Sequence, residues 1–355
     1  MNVLSLFDGM SCGRLALERA GIHVDNYYAS EIDKFAIKVA KANYPDTHHI
    51  GDVKDVHACD LPKIDLLLGG SPCQGFSFSG KRLDFKDPRS KLFFEYVRLL
   101  WECKPRWFLM ENVRMTKQCQ DIISEHLGVE PRPINSNLVS AQNRYRLYWT
   151  NLSFDDPVDE GIMLKDILES GVTDRDKAHC LDANYFKGGN LRLYFEKHRR
   201  QLVFSKDGLC HVGEADINGQ EHQKRVYHPD GKSPTLNTCS GGNREPKVLM
   251  WQYPRGNNKG GFRALDGKTP TLSSSEWQHN NLLTDGYKWR KLTPVECERL
   301  QTVPDNYTAH VSNSQRYKML GNGWTVDVIA HILYQGLHEH LLPRPQPVTL
   351  RQGSL

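Results

Sequence analysis

The chain is 355 residues long, 39% hydrophobic and 25% charged. That combination excludes a wholly disordered chain and fits two domains, or one large domain carrying an insertion. A net charge of +4 is too small to mark a nucleic-acid binder, and a mean hydropathy of −0.58 without a long apolar run argues against a membrane span.

Val3 to Phe7 reads as a buried strand and Asp8 to Gly13 as a turn of small residues. Leu15 to Ala20 reads as a helix closed by Gly21. A second strand, Tyr27 to Ser30, ends at Glu31, and Asp33 to Asn43 is helical. Ile64 to Gly70 is a third strand. Leu92, Phe93, Tyr96, Leu99, Leu100 and Cys103 recur at helical spacing, and Trp107 to Met110 is a fourth strand followed at once by Glu111-Asn112. Alternating strands and helices predict an α/β fold with a doubly wound, mostly parallel sheet. Such sheets bind ligands at the carboxyl ends of their strands. Asp8, Glu31, Ser71, Cys73 and Glu111 fall there.

The alternation stops after residue 150. Residues 151–287 are rich in glycine and asparagine and predict a smaller, irregular, β-rich insert. Two pieces of it are alike, Asp230 to Thr238 and Asp266 to Ser274, with a weaker third at Ala178 to Tyr185. Helical texture returns with Thr293-Pro294-Val295-Glu296, which has capping-box spacing, and with Ile329 to Leu341. Residues 1–150 and 288–341 therefore read as one interrupted domain, and 342–355 as a loose tail. No basic-then-apolar leader opens the chain, so a cytoplasmic protein is expected. Nine cysteines without a Cys-x-x-Cys pair, and fifteen histidines without a metal motif, predict neither a disulfide framework nor a metal.

Cys73 lies in Gly69-Gly70-Ser71-Pro72-Cys73-Gln74-Gly75, a glycine-flanked turn after a buried strand. An accessible thiol there could act as a nucleophile. An acid at the neighbouring strand end, Glu111, would suit an electron-poor ring attacked at one atom and protonated at another.

With these motifs the chain resembles the DNA (cytosine-5) methyltransferases. The resemblance rests on Phe7-Asp8-Gly9, Glu31, Gly51-Asp52-Val53, Pro72-Cys73-Gln74, Glu111-Asn112-Val113 and Gln142-Asn143-Arg144-Tyr145-Arg146. It continues in Arg290 to Pro304 and in Gly321-Asn322-Gly323, all in the family's order. Leu6 to Gly9, Leu92 to Leu100 and Ser140-Ala141-Gln142 are similar to the eukaryotic de novo branch. Ser11 and Trp324 depart from the bacterial pattern, which has glycine and valine there. Without long regulatory regions, a compact bacterial or phage enzyme is expected, monomeric and acting on double-stranded DNA.

The resemblance implies a Rossmann-like methyltransferase domain that uses S-adenosylmethionine and no metal. It implies Cys73 as nucleophile on cytosine C6 and Glu111 on the N3 and amino edge. Arg146 would hold O2 of the base, and Arg144 would brace the nucleophile loop. Cofactor contacts are implied at Phe7, Asp8, Gly9, Ser11, Gly13, Glu31, Ile32, Asp52, Val53, Pro72, Asn322 and Trp324. Residues 75–90 read as a mobile basic loop closing over DNA, with Gln74, Ser77, Lys81, Arg82 and Arg89 as contacts. The insert is the expected target reader. Residues 231–270 carry seven basic against two acidic residues. Lys232, Thr235, Arg244, Arg255, Lys259, Arg263 and, just beyond, Thr271 are the expected DNA contacts there. A tRNA cytosine methyltransferase of the same fold, a catalytically silent DNA-binding protein and a Rossmann oxidoreductase are the alternatives. The last lacks its Gly-x-Gly-x-x-Gly turn.

Overall fold

The computed structural model describes residues 1–72, 91–188, 194, 197–205, 211–214, 225–227, 249–252, 261–264, 282–283 and 288–341. The chain divides into two compact units. The first holds Met1–Ile167, Arg175–Gln201 and the described residues from Leu292 onward; the second holds Leu168–Asp174 and Leu202–Lys291. The expected boundary at residue 150 is thus corrected. Most of 151–201 packs with the first unit, where Leu152, Phe154, Leu164, Leu181 and Tyr185 are buried.

A seven-stranded sheet runs through the first unit. Its strands are β1 (Asn2–Leu6), β2 (Asn26–Ser30), β3 (His48–Gly51), β4 (Leu66–Gly69), β5 (Trp107–Val113), β6 (Arg132–Asn135) and β7 (Tyr145–Thr150). Their order is β3-β2-β1-β4-β5-β7-β6. β1 to β5 pair in parallel, and β7 lies antiparallel between β5 and β6. The doubly wound, mostly parallel sheet is as expected. Continuous apolar runs in β1 and β4 are buried on both faces, which is why they are legible. β3 is an edge strand, and its polar His48-His49 hides it.

Four helices follow the strands in turn: α1 (Cys12–Arg19), α2 (Lys34–Asn43), α3 (Lys91–Cys103) and α4 (Lys117–Leu127). Asp33 caps α2 by accepting from the Phe35 amide. Thr116 caps α4, and Gly128 closes it in the left-handed region. Tyr96 and Phe93 of α3, Ile123 of α4 and Trp149 of β7 share one core with Leu4, Leu67 and Met110.

Three further helices return to the sheet: α5 (Pro294–Leu300), α6 (Asn313–Asn322) and α7 (Val326–Leu341). The capping box forms as the sequence predicts, Thr293 and Glu296 bonding each other's backbone amides. Tyr307 Oη donates to the Met10 carbonyl at 2.8 Å, and Arg19 pairs with Asp327, so this late segment fastens to the turn after β1. The described residues of the second unit include short antiparallel pieces. β8 (Leu202–Ser205) pairs with β14 (Lys288–Lys291), and β9 (His211–Glu214) with β10 (Arg225–Tyr227). β11 (Leu249–Gln252) lies between β12 (Gly261–Ala264) and β13 (Leu282–Leu283).

Glu298 is fully buried in α5. Its carboxylate accepts from the Asn306 and Thr308 amides at 2.7 and 2.8 Å and from Arg316 Nη2 at 2.9 Å. Removing one partner of such a pair leaves an uncompensated buried charge, costing about 3–5 kcal/mol. Glu298→Ala is therefore expected to lower the unfolding free energy by about that much in urea titration. A loss within about 0.5 kcal/mol, typical of plain surface changes, contradicts it.

Candidate active site

The turn after β1 is built from three left-handed residues, Phe7 (φ 56°), Gly9 (φ 61°) and Ser11 (φ 65°). Such angles strain a non-glycine residue, and surrounding bonds must hold it. Ser11 Oγ donates to Asp8 Oδ2 at 2.6 Å, and Tyr27 Oη donates to Asp8 Oδ1 at 2.7 Å. The departure from glycine at position 11 thus comes with its own side-chain tether. Asp8 is buried, and burial raises its carboxyl above the ordinary value. Both side chains turn inward and build the turn, which leaves to the backbone of Asp8 and Ser11 any contact these residues make with a cofactor.

Glu31 follows β2. Its Oε2 accepts from the Gly9 amide at 2.8 Å, and its Oε1 accepts from the Ile32 and Asp33 amides, also at 2.8 Å. Ile32 beside it is 73% exposed, a large apolar side chain left in the open. Asp52 caps a single helical turn through the Lys54 amide at 3.1 Å. Val53 is buried in the core, and its carbonyl accepts from Arg98 Nη2 at 3.2 Å. A Cβ on Gly13 would stand 2.9 Å from Tyr27 Oη and 3.5 Å from Trp324 Cζ3. Only glycine lets α1 lie that close.

At the next strand end the sheet changes character. β4 stops at Gly69, opposite Met110 of β5, and β5 runs on to Val113 beside β7 alone. Glu111 and Asn112 are therefore inside β5, not beyond it as the sequence suggested. The added pairing is Glu111 with Tyr148 and Val113 with Arg146. Arg146 Nε meets Glu111 Oε1 at 2.9 Å, with the side chains 13% and 11% exposed. Burial works against the Arg146 cation, yet the Cys180 thiol and the Glu111 carboxylate raise its pKa. A Cβ on Gly70 would stand 3.0 Å from Trp324 Nε1 and 3.2 Å from Glu111 Oε2, so glycine brings these groups against one backbone point. Pro72 is exposed just after the buried Ser71. Asn112 Nδ2 donates to Ser71 Oγ at 3.3 Å and, weakly, to its carbonyl at 3.4 Å.

Gln142, Arg144 and Arg146 alternate along one extended segment, which turns all three the same way. Arg144 is buried, and burial lowers its pKa. Its guanidinium donates to the carbonyls of Leu181, Gly321 and Gly323 at 2.9, 3.2 and 2.8 Å. Among the described residues, Arg144 holds the end of α6 and the 180–181 segment; the nucleophile loop it is expected to brace lies outside them. Gln142 Nε2 donates to the Leu300 carbonyl at 2.6 Å and to Gln301 Oε1 at 2.9 Å. Asn322 is exposed at the end of α6, and Trp324 is half-buried.

Cys73, Gln74, Ser77, Lys81, Arg82 and Arg89 lie outside the described residues, as do Lys232, Thr235, Arg244, Arg255, Lys259 and Thr271 and the tail 342–355. Arg263 lies in β12 opposite Met250. Three contributors were given no role by sequence reasoning. Asn112 was readable as the neighbour of Glu111. Gln301 lay inside the Arg290 to Pro304 motif without a role assigned to it, and Cys180 carried no local signal, because it reaches Arg144 from more than 30 positions away. Cys180 is exposed, with Sγ 3.6 Å from Arg144 Nη1 and 4.0 Å from Arg146 Nη2.

Asp8 supplies a pH test. Its folded pKa lies above the ordinary 3.8, so the folded chain holds this proton more tightly than the unfolded one. Its contribution is full below 3.8 and is lost as pH rises through the raised value. The stability advantage of wild type over Asp8→Asn should shrink as pH rises from the ordinary carboxylate range through the raised value, measured by urea unfolding. An advantage that grows with pH contradicts this.

The profile of the C-5 cytosine-specific DNA methylase family matches residues 1–127 and 134–338. The orphan methyltransferase M.SPBetaI of Bacillus phage SPbeta is 29% identical, over 96% of this chain and 98% of its own length. The type II methyltransferase M1.ScrFI of Lactococcus lactis subsp. cremoris is 30% identical, over 92% of this chain and 75% of its own. Among solved structures, the S. pombe Dnmt2 methyltransferase aligns over 96% of this chain and all of its own with a TM-score of 0.57 at 16% identity, a likeness of fold. With its sheet, its ordered motifs and the profile match in agreement, the chain belongs to the C-5 cytosine-specific DNA methylase family.

Proposed function

We propose that this chain, a DNA (cytosine-5) methyltransferase by family, acts as a monomer on a cytosine turned out of double-stranded DNA, with Cys73 as nucleophile and S-adenosylmethionine as methyl donor. The observation that carries the reading is the Glu111–Arg146 pair, drawn together where β5 outruns the parallel sheet. A carboxyl and a guanidinium 2.9 Å apart suit the polar edge of cytosine, with Glu111 toward N3 and the amino group and Arg146 toward O2. The base must leave the stack, because its C6 is covered within a duplex.

The residues present fit the cofactor. Glu31 is a two-oxygen acceptor suited to a ribose diol, Ile32 is an exposed apolar face for adenine, and Asp52 suits an amino group. Phe7, Gly9, Gly13, Val53, Pro72, Asn322 and Trp324 complete that proposed set. When bound, S-adenosylmethionine supplies an electrophilic methyl group. The Cys73 thiolate adds to C6, and electron density moves to C5. Glu111 holds the N3 edge and shares its proton as the ring charge changes. Arg146 fixes the ring against the nucleophile and keeps Glu111 in place. Arg144 acts at one remove, setting the backbone of 321–323. After methylation a base such as water takes the C5 proton, the freed electron pair re-forms the C5–C6 double bond, and Cys73 leaves C6 as thiolate. The basic stretch 231–270 in the second unit reads the target through phosphates and guanine edges.

Purified protein should transfer tritiated methyl to DNA of mixed sequence in preference to tRNA. Cys73→Ser should abolish turnover while cofactor binding persists. Glu111→Gln should slow methyl transfer by about 10²–10⁴-fold. No transfer to any DNA, or full turnover by Cys73→Ser, contradicts the proposal.

A further inference from the structure

Arg114 directly follows Val113, the residue paired with Arg146 across the ladder. It is exposed, and its guanidinium carbon stands 5.6 Å from the centre of the Tyr145 ring. Tyr145 opens β7 and is 41% exposed. Alternation along the strand explains why. Arg144 and Arg146 turn inward, so Asn143 and Tyr145 between and before them turn out, and both are exposed. Arg114 and Tyr145 therefore form an open rim at the sheet end that carries the Glu111–Arg146 pair. Among the described residues Arg114 has no carboxylate partner. Lys117, three positions on, is instead tied to Asp121 at 2.7 Å and Glu130 at 3.4 Å.

An aromatic face beneath a guanidinium holds it in place without neutralising it. Its donor fork stays free for an anion, and a planar fork matches the two oxygens of a phosphodiester. When a cytosine enters the site, the phosphates flanking it are carried to the rim of that site. We infer that Arg114, held by Tyr145, grips the DNA backbone beside the everted nucleotide. The inference rests on the reading of this chain as a DNA cytosine methyltransferase. It adds a contact on the catalytic unit itself, apart from the basic stretch in the second unit. The contact is with backbone, so it positions the strand and carries no sequence preference.

The test uses full-length protein and a duplex that wild type methylates, with binding measured across a salt series. Arg114→Gln is expected to weaken binding by roughly fivefold to tenfold and to lower the slope of log K against log salt by about one. The loss should fall on KM for DNA more than on kcat, and Arg114→Lys should recover the slope. Tyr145→Ala should weaken binding less than Arg114→Gln, because it frees the cation without removing it. A wild type that methylates DNA while Arg114→Gln keeps its salt slope overturns this inference alone. A loss confined to kcat overturns it too, since Arg114 would then act on the chemistry. A wild type that neither binds nor methylates DNA overturns the reading beneath it. Equal thermal midpoints for the variants show that the comparison is between folded proteins.

Discussion

A carboxylate and a guanidinium are expensive to bury apart and tolerable together. The Glu111–Arg146 pair exists because the sheet changes direction at one point. β4 ends, β5 continues, and antiparallel β7 brings Arg146 beside a residue the parallel strands have stopped covering. The exposed rim at Tyr145 and the close approach of Trp324 across Gly70 are arranged around that change.

The pair would be loose without the return of the chain's last third. Gln142 and Arg144 reach into this segment, and Gln301 joins it to itself through the Leu320 carbonyl at 2.5 Å and the Thr325 hydroxyl at 3.0 Å. These groups are buried, and an unmatched polar atom there costs more than a matched one gains. The network therefore favours one arrangement of β7 and the 321–325 turn. A backbone contact between Gly321 and the Asp182–Ala183 segment closes it, at a distance no side chain would allow.

Parallel strands β1, β4 and β5 were legible because burial on two faces writes them largely as apolar residues, and the capping box at Thr293 because its spacing is local. β7 was not, because Tyr145-Arg146-Leu147-Tyr148 carries charge where the site needs it. A motif reads as sequence similarity well before it reads as a strand. The site was legible in its residues and less so in their roles. Glu31 stands past a strand end as expected, Glu111 and Arg146 lie inside β5 and β7, and the side chains of Asp8, Ser11 and Arg144 tie turns and backbone together. A carboxylate facing a ligand and one facing a buried tyrosine have the same spelling. Only the φ angles of the turn and the direction of the side chain separate them.

The central claim is that Glu111 and Arg146 act on the base as one unit. A double-mutant cycle in single-turnover methyl transfer to DNA tests it most directly, with Glu111→Gln, Arg146→Ala and the combined variant. If the two act together, the combined variant should be no slower than the worse single variant by more than about threefold, since groups acting as a unit are far from additive. If the two losses multiply, the residues act separately, and the account of the site is wrong.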